Sequence, residues 1–377
     1  MTVQINNSFI SKNNFIYVYN RNVTLDTSVD LIMDYQTMSR KKFEIAGNQI
    51  EPGTKKIIYF PAPNINTQIK IEIPVHVFHG NQSGPKLFIV GAIHGDELNS
   101  IEIIRRVHEH IKIKKLRGTL ITIPVANIHG VIMQTRYFSD RRDLNRSFPG
   151  LKNGSLSARL AYGLMKHIVS HCDYGIDLHT GSYGHMNMPQ LRTDFSVPGN
   201  KKFANLFHAP IILDSKQRDG SLRQAASQLG IPLIVYEGGE ALRVNELCIR
   251  AGVTGILNAL HHLKMLNFSS SQMNKKSKSL VAKTSRWVRA PASGFINPVE
   301  NIVSRLVKKG DILAYIHDPF LINPSSEIIA PFEGIVICQA LKAMVTEGDA
   351  IFHIAIFKKI SGVKEYIDEF REELIHQ

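Results

Sequence analysis

The stretch "KLFIVGAIHGDELNSIEIIRRVHEHIKI" (86–113) holds the decision about the fold. The run KLFIV is strand-like, and behind it Leu98, Ile101, Ile104, Val107 and Ile111 recur at helical spacing, predicting a helix over 97–113. Between the two, His94, Asp96 and Glu97 fall within four positions. Strand, tight polar connection and amphipathic helix together form the repeating unit of an α/β sheet covered on both faces.

The same alternation continues on either side. Upstream, "IKIEIPVHVF" (69–78) alternates as a strand should. Downstream, the strand candidates are "TLITIPV" (119–125), "YGIDL" (174–178), "APIIL" (209–213) and "IPLIVY" (231–236). Further helices are predicted over 155–171, 220–229 and 241–264. His108, His110, His261 and His262 fall on these helices and read as surface decoration. The expected fold class is α/β, with a catalytic domain over 66–266 and an irregular or β-rich lead-in over 1–65. A Ser- and Lys-rich stretch, 267–286, reads as a linker.

Beyond the linker the chain repeats itself weakly. "APASGFI" (290–296) returns as "APFEGIV" (330–336), and "VKKGDILAYI" (307–316) as "VTEGDAIFHI" (345–354). Two strand–turn–strand copies predict a small all-β domain over 287–358, followed by an amphipathic helix over 359–377. The repeat resembles the barrel-sandwich hybrid of lipoyl and biotinyl carriers. Those carriers present a modified lysine at the hairpin between the halves, and here that hairpin, "HDPFLINPSSE" (317–327), has none. Lys342 lies inside the second half. The unit is therefore expected to pack on the enzyme or shape its entrance, not to carry a cofactor arm.

Composition narrows the classes further. A length of 377 residues with 44% hydrophobic content supports a substantial core. The three cysteines, Cys172, Cys248 and Cys338, are odd in number and lack CxxC spacing, which argues against a disulfide framework and for a reducing compartment. The N-terminus lacks the pattern of a signal peptide, and no apolar run is long enough to span a bilayer. A cytoplasmic protein without a membrane partner is expected. The formal charge of +13 is dispersed and has no aromatic-interleaved basic motif, so it points to steering of anionic substrates and not to nucleic acid. A homo-oligomer is compatible with all of this.

His94 and Glu97 can converge on one cation if the chain turns at Gly95. A catalytic zinc takes three protein ligands, two histidines and a carboxylate being one established set, with water in the fourth position. His179, after the strand "YGIDL", is the candidate third ligand. Asp177 shares its face if strand geometry persists, a position from which it can orient the imidazole. Glu237 follows the most apolar strand, where a carboxylate needs a partner or a task; beside a metal site it can serve as general base. The stretch "QTRYFSDRRDLNRSFPG" (134–150) supplies Arg136 to polarise a carbonyl, Asn145 and Arg146 to hold a substrate carboxylate, and Asp143 to position an arginine.

Taken in order, "HGDE", "TRY…DLNRSFPG", "DLHTG" and "VYEGG" resemble the succinylglutamate desuccinylase/aspartoacylase family, a branch of the zinc carboxypeptidase-like hydrolases. The resemblance covers roughly residues 70–265. It implies a mixed sheet flanked by helices and one catalytic Zn2+ per chain. His94, Glu97 and His179 match the zinc ligands, and Glu237 the catalytic acid/base. Arg136 matches the carbonyl-polarising arginine, with Arg141 and Arg142 as alternatives. Asn145 and Arg146 match the residues that bind a substrate carboxylate. The implied activity is hydrolysis of the amide of a small N-acyl amino acid. A zinc carboxypeptidase acting on short peptides is the alternative, and a non-catalytic binding module is a third possibility, which the intact set of ligands plus Glu237 opposes.

Overall fold

The computed structural model describes residues 40–64, 70–269, 279–358 and 362–375. Of the expected lead-in, 1–39 lie outside the described residues. The rest of it is β-rich: a small hairpin (Phe43–Ile45 with Asn48–Ile50) precedes the strand Thr54–Pro61.

That strand is one margin of a 13-stranded sheet. From it the order runs Glu72–His79, Arg117–Ile123, Gln82–Val90, Tyr174–Gly181, Leu233–Glu240 and His185–Thr193. Four of these, Arg117–Ile123, Gln82–Val90, Tyr174–Gly181 and Leu233–Glu240, are mutually parallel, as crossover helices require. The fold is the expected mixed sheet flanked by helices.

Alternation along each central strand divides the core in two. Phe88, Val90, Leu233 and Val235 enter one hydrophobic cluster with the helices Leu156–His167 and Leu222–Gln228. Leu87, Ile89, Ile234 and Tyr236 enter the other, under Asn99–His110, Asn200–Phe207 and Glu246–His262. Burial of both faces accounts for the near-continuous apolar runs.

Several expected elements shift. The first helix runs Asn99–His110, not 97–113, and its buried stripe is Ser100, Ile103, Ile104 and Val107. Leu98, Ile101 and Ile111 are only partly buried, because the helix is rotated relative to the stripe expected from spacing. The helix expected from 241 begins at Glu246, where the Asn245 side chain accepts the Cys248 N–H at 3.1 Å and caps it. His108 is not surface decoration: its Nε2 lies 2.7 Å from Thr122 Oγ1, and its ring packs on Phe78 and His76. The helices Ile128–Ile132 and Asn200–Phe207 had no expectation.

The strand His185–Thr193 was also unexpected, since Pro189 at its centre argues against a strand. The proline sits at a bulge. Against Leu233–Glu240, the two residues Met188 and Pro189 stand opposite the single residue Gly238. The extra residue changes side-chain parity, so Asn187 and Arg192, five apart, face the same side.

Part of the expected linker is strand, namely Leu280–Ala282 and the start of Thr284–Arg289; its Ser- and Lys-rich part, 270–278, lies outside the described residues. The C-terminal unit shows its duplication in reciprocal pairings. Thr284–Arg289 pairs with Ala350–Ile356 as Ser326–Ile329 pairs with Ile312–His317. Leu306–Val307 pairs with Gly334–Ala340 as Met344–Val345 pairs with Gly294–Pro298. The two copies thus exchange strands around a shared core. The unit does not stand apart, because Gly334–Ala340 pairs antiparallel with His185–Thr193 and joins the catalytic sheet. The helix Val363–Ile375 follows, with Val363, Ile367 and Phe370 buried.

Candidate metal centre and active site

The carboxyl ends of the parallel strands converge on one cavity of about 620 Å³, where ligands bind in open α/β sheets. His94 lies in the connection after Gln82–Val90, and Glu97 lies just before the first helix. His179 and Glu237 lie within the ends of their strands, which run further than the apolar runs suggested.

Gly95 is needed for close approach. A Cβ there would meet the Gly130 carbonyl carbon at 1.9 Å, so only glycine lets the His94–Glu97 turn lie against that backbone. The turn is closed by Glu97 N–H donating to His94 O at 3.2 Å.

His94 Nδ1 lies 2.7 Å from Glu97 Oε1, His179 Nδ1 lies 2.7 Å from Glu97 Oε2, and the two ring nitrogens are 3.2 Å apart. All three side chains are buried. The opposite nitrogens are held by carboxylates: His94 Nε2 lies 3.1 Å from Asp143 Oδ1, and His179 Nε2 lies 2.9 Å from Asp177 Oδ2. A carboxylate behind each ring leaves Nδ1 as the free donor atom on both. Two imidazole nitrogens and a carboxylate within 4.8 Å of one another can hold a metal ion, and the donor set suits a divalent ion of the zinc type.

The electrostatics agree. Burial works against ionised Glu97, yet His94 and His179 outweigh it and hold the carboxyl below its ordinary range. Burial likewise opposes protonation of both imidazoles, and the adjacent carboxylates, Glu97 and Asp143 for His94 and Asp177 and Glu97 for His179, raise both above their usual value. Such a cluster favours a concentrated positive charge at its centre.

Arg136 lines the same cavity. Its Nη2 donates to Asp143 Oδ2 at 2.9 Å, and its Nη1 reaches Glu97 Oε1 at 3.3 Å. Asp143 therefore touches both His94 and Arg136. Arg141 and Arg142 are exposed and do not line the cavity. Asn145 spends its Oδ1 on the Leu222 N–H at 2.9 Å, so its Nδ2 is left toward His179 and the cavity. Arg146 Nη1 donates to the Asn145 carbonyl at 2.6 Å and also lines the cavity.

Glu237 is gripped from the unexpected strand. Asn187 Nδ2 donates to its Oε2 at 2.8 Å, and Arg192 Nε lies 3.6 Å from its Oε1. Asn187, Arg192, Arg223, Trp287 and His353 all line the cavity and were not singled out from sequence. Trp287 and His353 come from the C-terminal unit, so that unit forms one wall.

Residues 83–263 match the family model of the succinylglutamate desuccinylase/aspartoacylase catalytic domain. Over that segment, slightly less than half of its length, the chain is similar to this family. An N-alpha-acetyl-L-2,4-diaminobutyric acid deacetylase of Halomonas elongata is 26% identical over 166 residues, covering 44% of this chain and 43% of that relative. A succinylglutamate desuccinylase/aspartoacylase of Rhodobacter sphaeroides has a crystal structure with TM-score 0.71 and 26% identity, over 80% of this chain and 96% of that one. The product-bound ectoine utilization protein EutE (DoeB) of Ruegeria pomeroyi, at 22% identity and TM-score 0.72, covers 80% of this chain and 95% of its own, and shares the fold. The matched residues fall between 66 and 266. Among the described residues no helix is long and apolar enough to cross a membrane.

Proposed function

We propose that this protein is a zinc-dependent deacylase that hydrolyses the amide bond of a small N-acyl amino acid. The observation that carries the reading is the buried His94–Glu97–His179 cluster, with Glu237 and Arg136 on the same cavity. The family similarity and the deacetylase relative support it.

A zinc ion held by His94, Glu97 and His179 supplies Lewis acidity toward the amide carbonyl and toward water. Glu237 takes a proton from the attacking water as the water oxygen bonds to the carbonyl carbon. Arg136, its guanidinium fixed on Asp143, donates to the carbonyl oxygen as negative charge gathers there. Glu237 then delivers its proton to the amide nitrogen as the C–N bond breaks. The Asn145 amide N–H and Arg146 hold a substrate carboxylate. No covalent intermediate is invoked. Cys172, Cys248 and Cys338 are buried, and burial raises their thiol pKa far from the nucleophilic range, Cys338 to about 12.

The test is purified full-length protein, assayed for metal content and against two substrate sets, N-acyl amino acids and short peptides. One zinc per chain with release of acetate or another acyl acid is the expected result. Release of free amino acids from peptides alone would replace the deacylase by a peptidase, and metal-free active protein would overturn the mechanism.

A further inference from the structure

Asn187 is built into the sheet from both sides. Its strand, His185–Thr193, pairs with Leu233–Glu240 along one edge and with Gly334–Ala340 along the other. Asn187 is the register partner of Gly239 in the first pairing and of Cys338 in the second. The bulge at Met188 and Pro189 falls directly after it, and its side chain lines the cavity. With Asn187 only 3% exposed, its amide has little opportunity to exchange partners with solvent.

Only half of that amide is used. Nδ2 donates to Glu237 Oε2 at 2.8 Å, and Oδ1 is buried without a hydrogen-bond partner among the described residues. Turning the amide over would set its oxygen against a carboxylate oxygen, so Glu237 fixes which way it faces. A buried carbonyl left unpaired is destabilising, and an apolar side chain of the same branching would avoid it. Stability of the sheet therefore does not account for asparagine at this position, whereas the donor it offers Glu237 does. The second oxygen of that carboxylate is differently placed. Arg192 Nε stands 3.6 Å from Oε1, beyond hydrogen-bonding distance.

We propose that Asn187 is a positioning residue for Glu237: its N–H holds Oε2 through the reaction, and Oε1 is the oxygen that takes up and releases the proton. An N–H bonded to Oε2 occupies a lone pair and draws on its charge, while the longer approach of Arg192 draws less on Oε1, which is left the better proton acceptor. In the first step a water O–H bond breaks, the proton passes to Oε1, and the water oxygen bonds to the amide carbonyl carbon. In the second the proton leaves Oε1 for the amide nitrogen as the C–N bond breaks. The carboxylate is then restored with Oε2 still on Asn187. The inference rests on the deacylase reading for these steps, but the hold on Glu237 is a property of the fold.

The experiment uses zinc-loaded full-length protein with Asn187→Leu, Asn187→Asp and Glu237→Gln, and with Asn187→Leu and Glu237→Gln combined. Loss of a hydrogen bond to a charged group is expected to lower kcat for an N-acyl amino acid by about 10- to 100-fold in Asn187→Leu, with KM within about 3-fold of wild type and zinc content intact. Because the unpaired oxygen is gone, the thermal midpoint of Asn187→Leu should stay level or rise, which a merely structural asparagine would not allow. Asn187→Asp keeps the wild-type shape and guards against misfolding of Asn187→Leu. It sets a second carboxylate against Glu237 and should lose at least as much kcat. In the Glu237→Gln background, Asn187→Leu should cost no more than about 2-fold further, since it acts through Glu237. Crystal structures of wild type and Asn187→Leu should differ in the placement of the Glu237 carboxylate. Wild-type kcat in both Asn187 variants beside an inactive Glu237→Gln overturns the positioning role and leaves the deacylase standing. A loss confined to KM, or a full further loss in the double variant, does the same. If wild type cleaves no acyl amino acid, the deacylase reading falls and the crystal structures decide alone: a displaced carboxylate upholds the hold on Glu237, and an unmoved one ends it.

Discussion

Glu237 stands directly opposite His179 in the register of two parallel strands, Leu233–Glu240 and Tyr174–Gly181. Register partners share a sheet face and lie a strand spacing apart, about 4.8 Å. The distance from proton carrier to metal ligand is thus built into the sheet and does not depend on a loop. Directly after Glu237 the pairing slips by one residue toward Glu240, and Gly239, at φ +88°, makes the bend. Replacing Glu237 with Gln keeps the volume and the acceptor toward Asn187 while removing the proton carrier. Turnover should fall by about 10²–10⁴ with the metal content unchanged. Atomic emission on the same preparation used for kinetics makes the comparison, and a fully active variant would remove Glu237 from the chemistry.

Asp143 and Asp177 stand behind the two imidazoles but differ in one respect: only Asp143 also holds Arg136. Loss of a carboxylate behind a metal-ligating histidine weakens metal binding by about 10–100-fold. Asp177→Asn should therefore regain much of its activity when zinc is added in excess. Asp143→Asn should stay slow at saturating zinc, because Arg136 has lost its anchor. Kinetics across a zinc titration separate the two, and identical recovery in both variants would show that Asp143 does not act through Arg136.

The two histidines of the metal cluster and Glu237 were legible because they sit next to strong apolar runs. His94 follows KLFIV, His179 follows YGIDL and Glu237 follows LIVY, so the carboxyl-end rule for α/β sheets picked them out. The strand His185–Thr193 was not legible, since its polar residues and central Pro189 mask the pattern. Even with the strand known, simple alternation would have put Asn187 and Arg192 on opposite faces, because the bulge that unites them is a property of pairing with Leu233–Glu240. Trp287 and His353 were beyond reach for another reason. They join the site only because Gly334–Ala340 extends the catalytic sheet, and sequence spacing carries no information on that pairing.

The Gly95 turn can be tested against a glycine that has room. At Gly230 an added Cβ meets nothing within 4 Å, so Gly230→Ala suffers only from its φ of +72°, about 1 kcal/mol. At Gly95 the obstacle is the Gly130 backbone at 1.9 Å, which cannot rotate aside. Gly95→Ala should lower the thermal midpoint more than Gly230→Ala and should also reduce bound zinc, since His94 and Glu97 flank the displaced residue. Thermal scans with and without chelator read both effects. A Gly95→Ala protein with full zinc content and an unshifted midpoint would show that the turn tolerates a side chain.

Two packed histidines predict how stability depends on acidity. Burial, reinforced by Arg192 and Arg218, pushes His353 down to about 3, and burial, with His76 and Lys55 adding to it, pushes His108 down to about 4. In the unfolded chain both take up a proton near 6.5. Between pH 6.5 and these lower values the unfolded state binds more protons, so stability rises with pH across that window. Their contribution is complete above about 6.5 and is lost as the pH falls toward 4 and then 3. Urea midpoints at pH 5, 6 and 7 should therefore decline on acidification in wild type. The decline should be shallower in His353→Gln and in His108→Gln, whose side chains do not titrate. Each variant also loses packing, against Trp287 or against Phe78, so its midpoint at pH 7 should be lower, and the slope with pH carries the information. A slope as steep in both variants as in wild type would mean that these rings are already protonated in the folded protein, contrary to their burial.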